Sequence, residues 1–410
     1  MLFRSKNMNK RLIAIVLVIV LAFAAFAGCA TTTTTTPAAT TAATTTAATT
    51  TGATTTAPST GETTAVTFEK HSIGAIFYSK DDSLGAAVYA TLNRAAAALN
   101  VDLQWKIGDL DPNTQIASAE NLVASGVEGL VNIPLMDVVA QKVSQLCTGN
   151  DVKFANYFRS ITDEAIRAQV EANPNYVGCC FEDEVSAAAQ LVKIMVDQGR
   201  TKLGFGFLPP GSALGDLRNG GFNKGISEYG VTKLAEYTIS YGADLQPTLA
   251  SIQNFIDSYP DMQGLCAGSA SVGQGEAIAN LLASSGSDMK LATFDTFSGM
   301  KEAFAAGGLA AAAGGMSPDA LFTFMMLFNA VDGTPLSDKP IILNQNYIFV
   351  TDVASCEAYE KYIDNPDFAV YSDEEVVGMT KRGNPSFTVD AMKSIMADYT
   401  MEKIIAKIEG

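Results

Sequence analysis

The stretch Ser72–Trp105, SIGAIFYSKDDSLGAAVYATLNRAAAALNVDLQW, limits the fold of this 410-residue chain more than any other feature. Ile73 to Tyr78 is a short apolar run containing β-branched and aromatic residues, the pattern of a buried strand. After a polar break at Ser79–Ser83, apolar side chains recur at Leu84, Val88, Leu92, Ala95 and Leu99, a spacing that lays one helical stripe against a sheet. Asn100 ends that helix, and Val101 to Ile107 reads as a second strand. A βαβ unit requires parallel strands and a right-handed crossover, with its ligand crevice outside the carboxyl ends of the strands. The loop Ser79-Lys80-Asp81-Asp82-Ser83 is therefore the first functional candidate.

Upstream, Arg4, Lys6, Lys10 and Arg11 precede an unbroken apolar run from Leu12 to Ala27, a secretory signal with a basic leader that is slightly short for a spanning helix. It ends in Phe26-Ala27-Gly28-Cys29, which resembles the bacterial lipobox, with Phe26 where leucine is usual. The expectation is cleavage after residue 28 and lipidation of Cys29, placing the protein on the extracytoplasmic face of the cell membrane. A diacylated cysteine carries two chains, enough for stable anchoring; an uncleaved anchor would leave the body on the same face. Residues 29–65 are almost wholly Thr and Ala, cannot bury a core, and read as a disordered tether whose glycosylation is open.

Beyond residue 28 the chain holds 23 basic and 43 acidic residues, a net charge of −20 that repels nucleic acid and anionic head groups. The remaining body of about 345 residues exceeds one comfortable core, so two lobes are expected. With Cys29 assigned to lipid, Cys147, Cys179, Cys180, Cys266 and Cys356 remain. Five is odd for an exported protein and requires a free thiol. Adjacent Cys179 and Cys180 point to opposite faces of a strand, and the spacings do not suit a metal, so buried thiols are the simplest account.

The alternation continues in recognisable phrasing. Gln115, Leu122, Gly126-Val127, Gly129-Leu130, and Phe294-Asp295-Thr296 later, make the chain resemble the type I periplasmic sugar-binding proteins of ABC transporters, the ribose-binding group, over residues 66–350. The resemblance implies an α/β fold of two Rossmann-like lobes with parallel sheets joined by a hinge. It implies a first lobe over 66–181 and 316–349, a second over 182–315, and an extension over 350–410 without assigned role. Periodicity places a helix over Asp163–Ala172, a strand over Tyr176–Cys180, a core helix over Pro318–Val331 and a hinge strand over Ile341–Val350. In the extension it places helices over Glu357–Ile363 and Met392–Ile408.

Catalytic readings fare poorly. His71 is the only histidine and precedes the first strand, at the wrong end for a triad. Gly204, Gly206 and Gly211 have the wrong spacing for a dinucleotide fingerprint, with Pro209-Pro210 inside the loop. Asp109, Asp111, Asn113 and Glu120 fit part of a calcium loop, but Thr114 stands where glycine is needed. Trp105, inside the second strand, reads as core. No cofactor, metal or catalytic group is expected.

The resemblance implies a pocket from strand-end loops: Ser79, Lys80, Asp81, Asp82, Met136, Asp137, Tyr157, Phe158 and Arg159 from the first lobe, and Asp216, Ser269 and Asp295 from the second. Tyr157, Phe158, Arg159 and Asp295 suit sugar recognition, offering aromatic faces to C–H surfaces and charged groups to hydroxyls. The chain departs from the pattern at Ser83-Leu84, Asp216, Ser269-Ala270 and Gly315, where four usual sugar contacts are lost. A modified sugar, polyol, nucleoside or cationic solute therefore stays open as ligand. The expectation is a monomeric, lipid-anchored receptor that delivers a small polar solute, foremost a carbohydrate, to an ABC permease. The alternatives are a sensor for a membrane signalling system and an exported enzyme.

Overall fold

The computed structural model describes residues 66–240, 244–271, 273–365 and 367–409; the signal segment, Cys29 and the Thr-rich tether lie outside them. The first half alternates β1 (His71–Phe77), α1 (Ser83–Ala98), β2 (Val101–Ile107), α2 (Pro112–Ala124) and β3 (Gly129–Asn132). It goes on through α3 (Asp137–Asn150), β4 (Lys153–Tyr157), α4 (Glu164–Glu171) and β5 (Tyr176–Glu182). The second half repeats the scheme with α5 (Glu184–Asp197), β6 (Lys202–Phe207), α6 (Ala213–Glu228), β7 (Thr232–Thr238), α7 (Gln246–Ser258) and β8 (Gly264–Ala267). It closes with α8 (Gln274–Ser284), β9 (Lys290–Phe294), α9 (Met300–Ala305) and β10 (Leu309–Gly314). Then follow α10 (Ser317–Val331), β11 (Ile341–Gln345), β12 (Ile348–Val350), α11 (Val353–Tyr362), α12 (Asp373–Gly378), α13 (Val389–Ala397) and α14 (Met401–Glu409).

Two six-stranded sheets result, in the orders β11-β5-β4-β3-β1-β2 and β12-β10-β9-β8-β6-β7. Every neighbouring pair is parallel except β10 with β12. Parallel strands covered on both faces by helices must be apolar throughout, and β3, β8 and β10 are buried at every position. The expected class, two parallel-sheeted α/β lobes, is what the chain forms.

Helix caps explain where helices begin. The side chains of Asp82, Asp111, Asp163, Asp183 and Ser212 accept a first-turn N–H from α1, α2, α4, α5 and α6, respectively. The Asp111 carboxylate, once a calcium candidate, is thus occupied by Thr114. On α6, Gly221 and Gly225 let the helix press on α5: a Cβ at Gly221 would lie 2.4 Å from the Val185 carbonyl oxygen. α10 is buried from Ser317 to Asn329 and packs on β3, β4, β5 and α1. Each of its large apolar side chains contributes about 1.5–3 kcal/mol, enough to outweigh the burial of Asp319 and Asn329 in the same helix.

Two expectations for the C-terminal part need correction. Ile341–Val350 is two strands: β11 ends the first sheet at Gln345, and the chain crosses to join the second as β12. The break puts Tyr347 against Glu184 and Arg218. Met392–Ile408 is two helices, divided at Asp398–Thr400, where the Tyr399 hydroxyl donates to the Gly315 carbonyl at 2.6 Å. The extension touches both sheets' layers: α11 packs on α9 and β12, α12 on α1, and α13 on β11. The five thiols are free and buried, while Trp105, read as core, is only half-buried on edge strand β2, its ring tilted 37° against Tyr89 with centroids 5.0 Å apart.

Candidate functional site

Each sheet reverses its strand order once, β2 and β3 lying on opposite sides of β1, and β7 and β8 on opposite sides of β6. Ligand crevices form outside the carboxyl ends of strands at such points. The strand-end loops on that side, those after β1 and β4 in the first sheet and after β8 and β9 in the second, bound the candidate site.

In the first lobe, Asp82 accepts the Gly85 N–H at 2.7 Å, and Ser79 Oγ accepts the Asp81 N–H at 3.0 Å. Tyr78, at the end of β1, is half-buried. Burial raises its phenol, Asp82 and Asp295 add to that, and Arg159 opposes it. Partial burial also raises the Asp82 carboxyl; the Gly85 N–H works against this, and Asp295 again pushes upward. Asp295 belongs to the second lobe, so its charge reaches Tyr78 and Asp82 across the gap, and Arg159 acts on the same Tyr78.

Asp295 follows β9 with φ at +65°, a left-handed conformation that aspartate tolerates better than most side chains. Ser269 Oγ donates to its Oδ2 at 2.6 Å, and Arg218 Nη1 lies 3.7 Å from its Oδ1. Arg218 is buried on α6. Its Nε donates to Glu184 at 2.8 Å, Nη1 to the Gly268 carbonyl at 2.8 Å and Nη2 to the Tyr347 hydroxyl at 3.1 Å, while the guanidinium sits 3.9 Å over Phe294. Burial works against that charge, but Glu184, Tyr347 and Asp295 outweigh it and keep Arg218 protonated. The result is a rigid base that fixes Asp295 at the gap.

Of the candidates read from sequence, the structure brings together Asp82, Arg159, Ser269 and Asp295. Phe158 lies beside them with φ at +62°, its N–H donating to Asp319 at 3.1 Å and its ring packed on Phe77. Lys80, Asp81 and Met136 are exposed, and Ser79 is bound within its own loop. Asp137 is taken up by Thr162 and Asp163, whose N–H groups it accepts at 3.0 and 2.6 Å. Two candidates are corrected. Tyr157 serves the core, fully buried with its hydroxyl donating to the Ile76 carbonyl at 2.6 Å. Asp216 is exposed and accepts the Gly211 N–H at 3.2 Å, closing the turn that starts α6. Sequence reasoning passed over Tyr78, Glu182, Glu184, Arg218 and Tyr347. The signal available for two of them was Glu182-Asp183-Glu184, acids placed directly on the end of a buried strand.

His71, the single histidine, is engaged elsewhere, its ring nitrogens 3.2 Å from Glu128 and 3.4 Å from Asp332. Among the described residues no group of acidic, Cys or His side chains could hold a metal ion.

No family model matches the chain. A xylitol-binding protein of Mycolicibacterium smegmatis is 26% identical over 222 residues, which span 52% of this chain and 58% of that protein. The arabinose-binding component of an ABC transporter from Shewanella sp. ANA-3, solved with L-arabinofuranose, superposes with a TM-score of 0.60 at 14% identity, over 71% of this chain and 95% of its own. A galactofuranose-binding protein gives 0.60 at 14%, over 72% and 100%. A solute-binding protein of Actinobacillus succinogenes solved with D-allose gives 0.59 at 14%, over 70% and 99%. The chain is thus built on the fold of the type I periplasmic sugar-binding proteins of ABC transporters.

Proposed function

We propose that the protein is an extracytoplasmic receptor that takes a small sugar or polyol between its lobes and hands it to an ABC permease, without chemical change. The observation that carries this reading is the gap between the strand-end loops, where an Asp295 held by Ser269 and Arg218 acts on Tyr78 and Asp82 of the first lobe and Arg159 acts on the same Tyr78. Carboxylates and a guanidinium recognise hydroxyls through charged hydrogen bonds worth roughly 1.5–3 kcal/mol each. The sugars bound by the structural neighbours, and the xylitol named for the relative, support that ligand class. Closure of two lobes on a bridging ligand ties affinity to the closed population.

The lipid anchor rests on the Phe26–Cys29 motif after the apolar run from Leu12 to Ala27. A Cys29→Ala variant is expected in the soluble fraction; its retention with membranes would remove the anchor from this reading. For the ligand, we expect at least one of xylitol, L-arabinose, D-allose and D-tagatose to raise the melting temperature. A hundredfold excess over Kd corresponds to about 2.7 kcal/mol. No shift with any sugar or polyol would contradict the proposal.

A further inference from the structure

Three stretches of chain pass between the lobes, leaving β5, entering α10 and leaving β11. Each brings one buried polar side chain to the same place. Glu182 ends β5, Gln345 ends β11 as its register partner, and Asp319 stands in the first turn of α10. They are 2%, 0% and 0% exposed. Asp319 Oδ1 accepts the Phe158 N–H. Its Oδ2, both Glu182 oxygens and both amide atoms of Gln345 make no hydrogen bond of normal length among the described residues, although Asp319 interacts with Glu182 and with the Cys180 thiol. Buried polar groups are nearly always paired, and the neighbouring Arg218 and Tyr347 are. Glu182 also lines the space left between the Phe158–Arg159 loop and the start of α6 at Ala213–Leu217, inside the interlobe gap.

We infer that Glu182 is a ligand-contact residue, and that with Asp319 and Gln345 it selects a neutral pair of neighbouring hydroxyls. The inference rests on the receptor reading above and narrows its ligand class. A hydroxyl both donates and accepts. The buried carboxyl oxygens accept, and a primary amide presents N–H beside C=O, so the trio supplies acceptors and a donor in adjacent positions. Arg159 acts on both carboxyls and offsets the remaining negative charge, which favours an uncharged ligand over an ammonium or a carboxylate.

The test is calorimetric titration of xylitol, L-arabinose, D-allose and D-tagatose, with D-glucosamine as the cationic counterpart, into the wild type, Glu182→Gln and Glu182→Leu. We expect Kd for the best neutral ligand to weaken at least tenfold in Glu182→Leu and several-fold in Glu182→Gln. The ligand-free melting temperature of Glu182→Leu should hold or rise, because a buried group without a partner is removed; a residue with a purely structural role would lower it. Wild-type affinity in both variants overturns the assignment while leaving the receptor reading intact, and tighter binding of D-glucosamine than of any neutral probe overturns the selectivity. Should Glu182→Leu fail to fold, Glu182→Gln decides. Failure of every probe to bind the wild type overturns the receptor reading and this inference with it.

Discussion

Asp319 and Glu182 lie buried side by side, and burial, followed for Glu182 by the repulsion from Asp319, holds both carboxyls well above the usual range. Folding then takes up protons that the unfolded chain has released above about pH 4. Stability therefore falls as pH rises from there toward the folded-state values, by up to about 1.4 kcal/mol per pH unit for one group. Asp319→Asn keeps an acceptor for the Phe158 N–H and removes the repulsion. It should flatten the decline of urea-unfolding stability between about pH 5 and pH 8, and equal slopes in variant and wild type would contradict the mutual raising of the two carboxyls. At this scale the sequence was half legible. Asp295 announced itself because Phe294-Asp295-Thr296 encodes a strand end and a turn together. Glu182 did not, since an acid after an apolar run reads as the first residue of a loop, and its partners Asp319 and Gln345 are distant along the chain. Tyr157 misled for the converse reason: it lies at a strand end, yet its hydroxyl is satisfied inward by Ile76.

The elements themselves were easier to read, because helix and strand periods are local. Alternating apolar runs with Asp or Ser caps mark α1, α2, α4, α5 and α6, and β8 is bounded in the structure as the run Gly264–Ala267 suggests. The breaks near the C-terminus were not legible, because they are imposed by contacts with distant segments. Tyr399 interrupts an amphipathic run to reach Gly315, whose φ of +80° and N–H bonded to the Tyr359 hydroxyl at 2.8 Å mark the crossover into α10. The extension is thereby fastened to the hinge itself. Tyr399→Phe leaves the buried Gly315 carbonyl without its donor and should cost about 1–3 kcal/mol in urea unfolding. A loss below a few tenths of a kcal/mol would show that the extension merely rests on the crossover.

For the whole molecule, the strand-end loops of the two sheets meet at a gap between the lobes, and the chemistry collects there rather than on either lobe alone. The class of fold could be inferred from the first βαβ unit and the repeated phrasing. The site could be inferred only to the loop, because which side chains meet depends on how the second lobe faces the first. Arg218, counted in sequence as part of a helix pattern, proves to be the support of Asp295. The most direct test is isothermal titration of the best-binding sugar or polyol into the wild type and an Asp295→Ala variant at several temperatures. The account predicts one site per chain, a negative heat-capacity change as apolar lobe surface is buried, and at least tenfold weaker binding in Asp295→Ala. Binding unchanged in that variant, or no neutral polyhydroxylated ligand bound by the wild type, would contradict it.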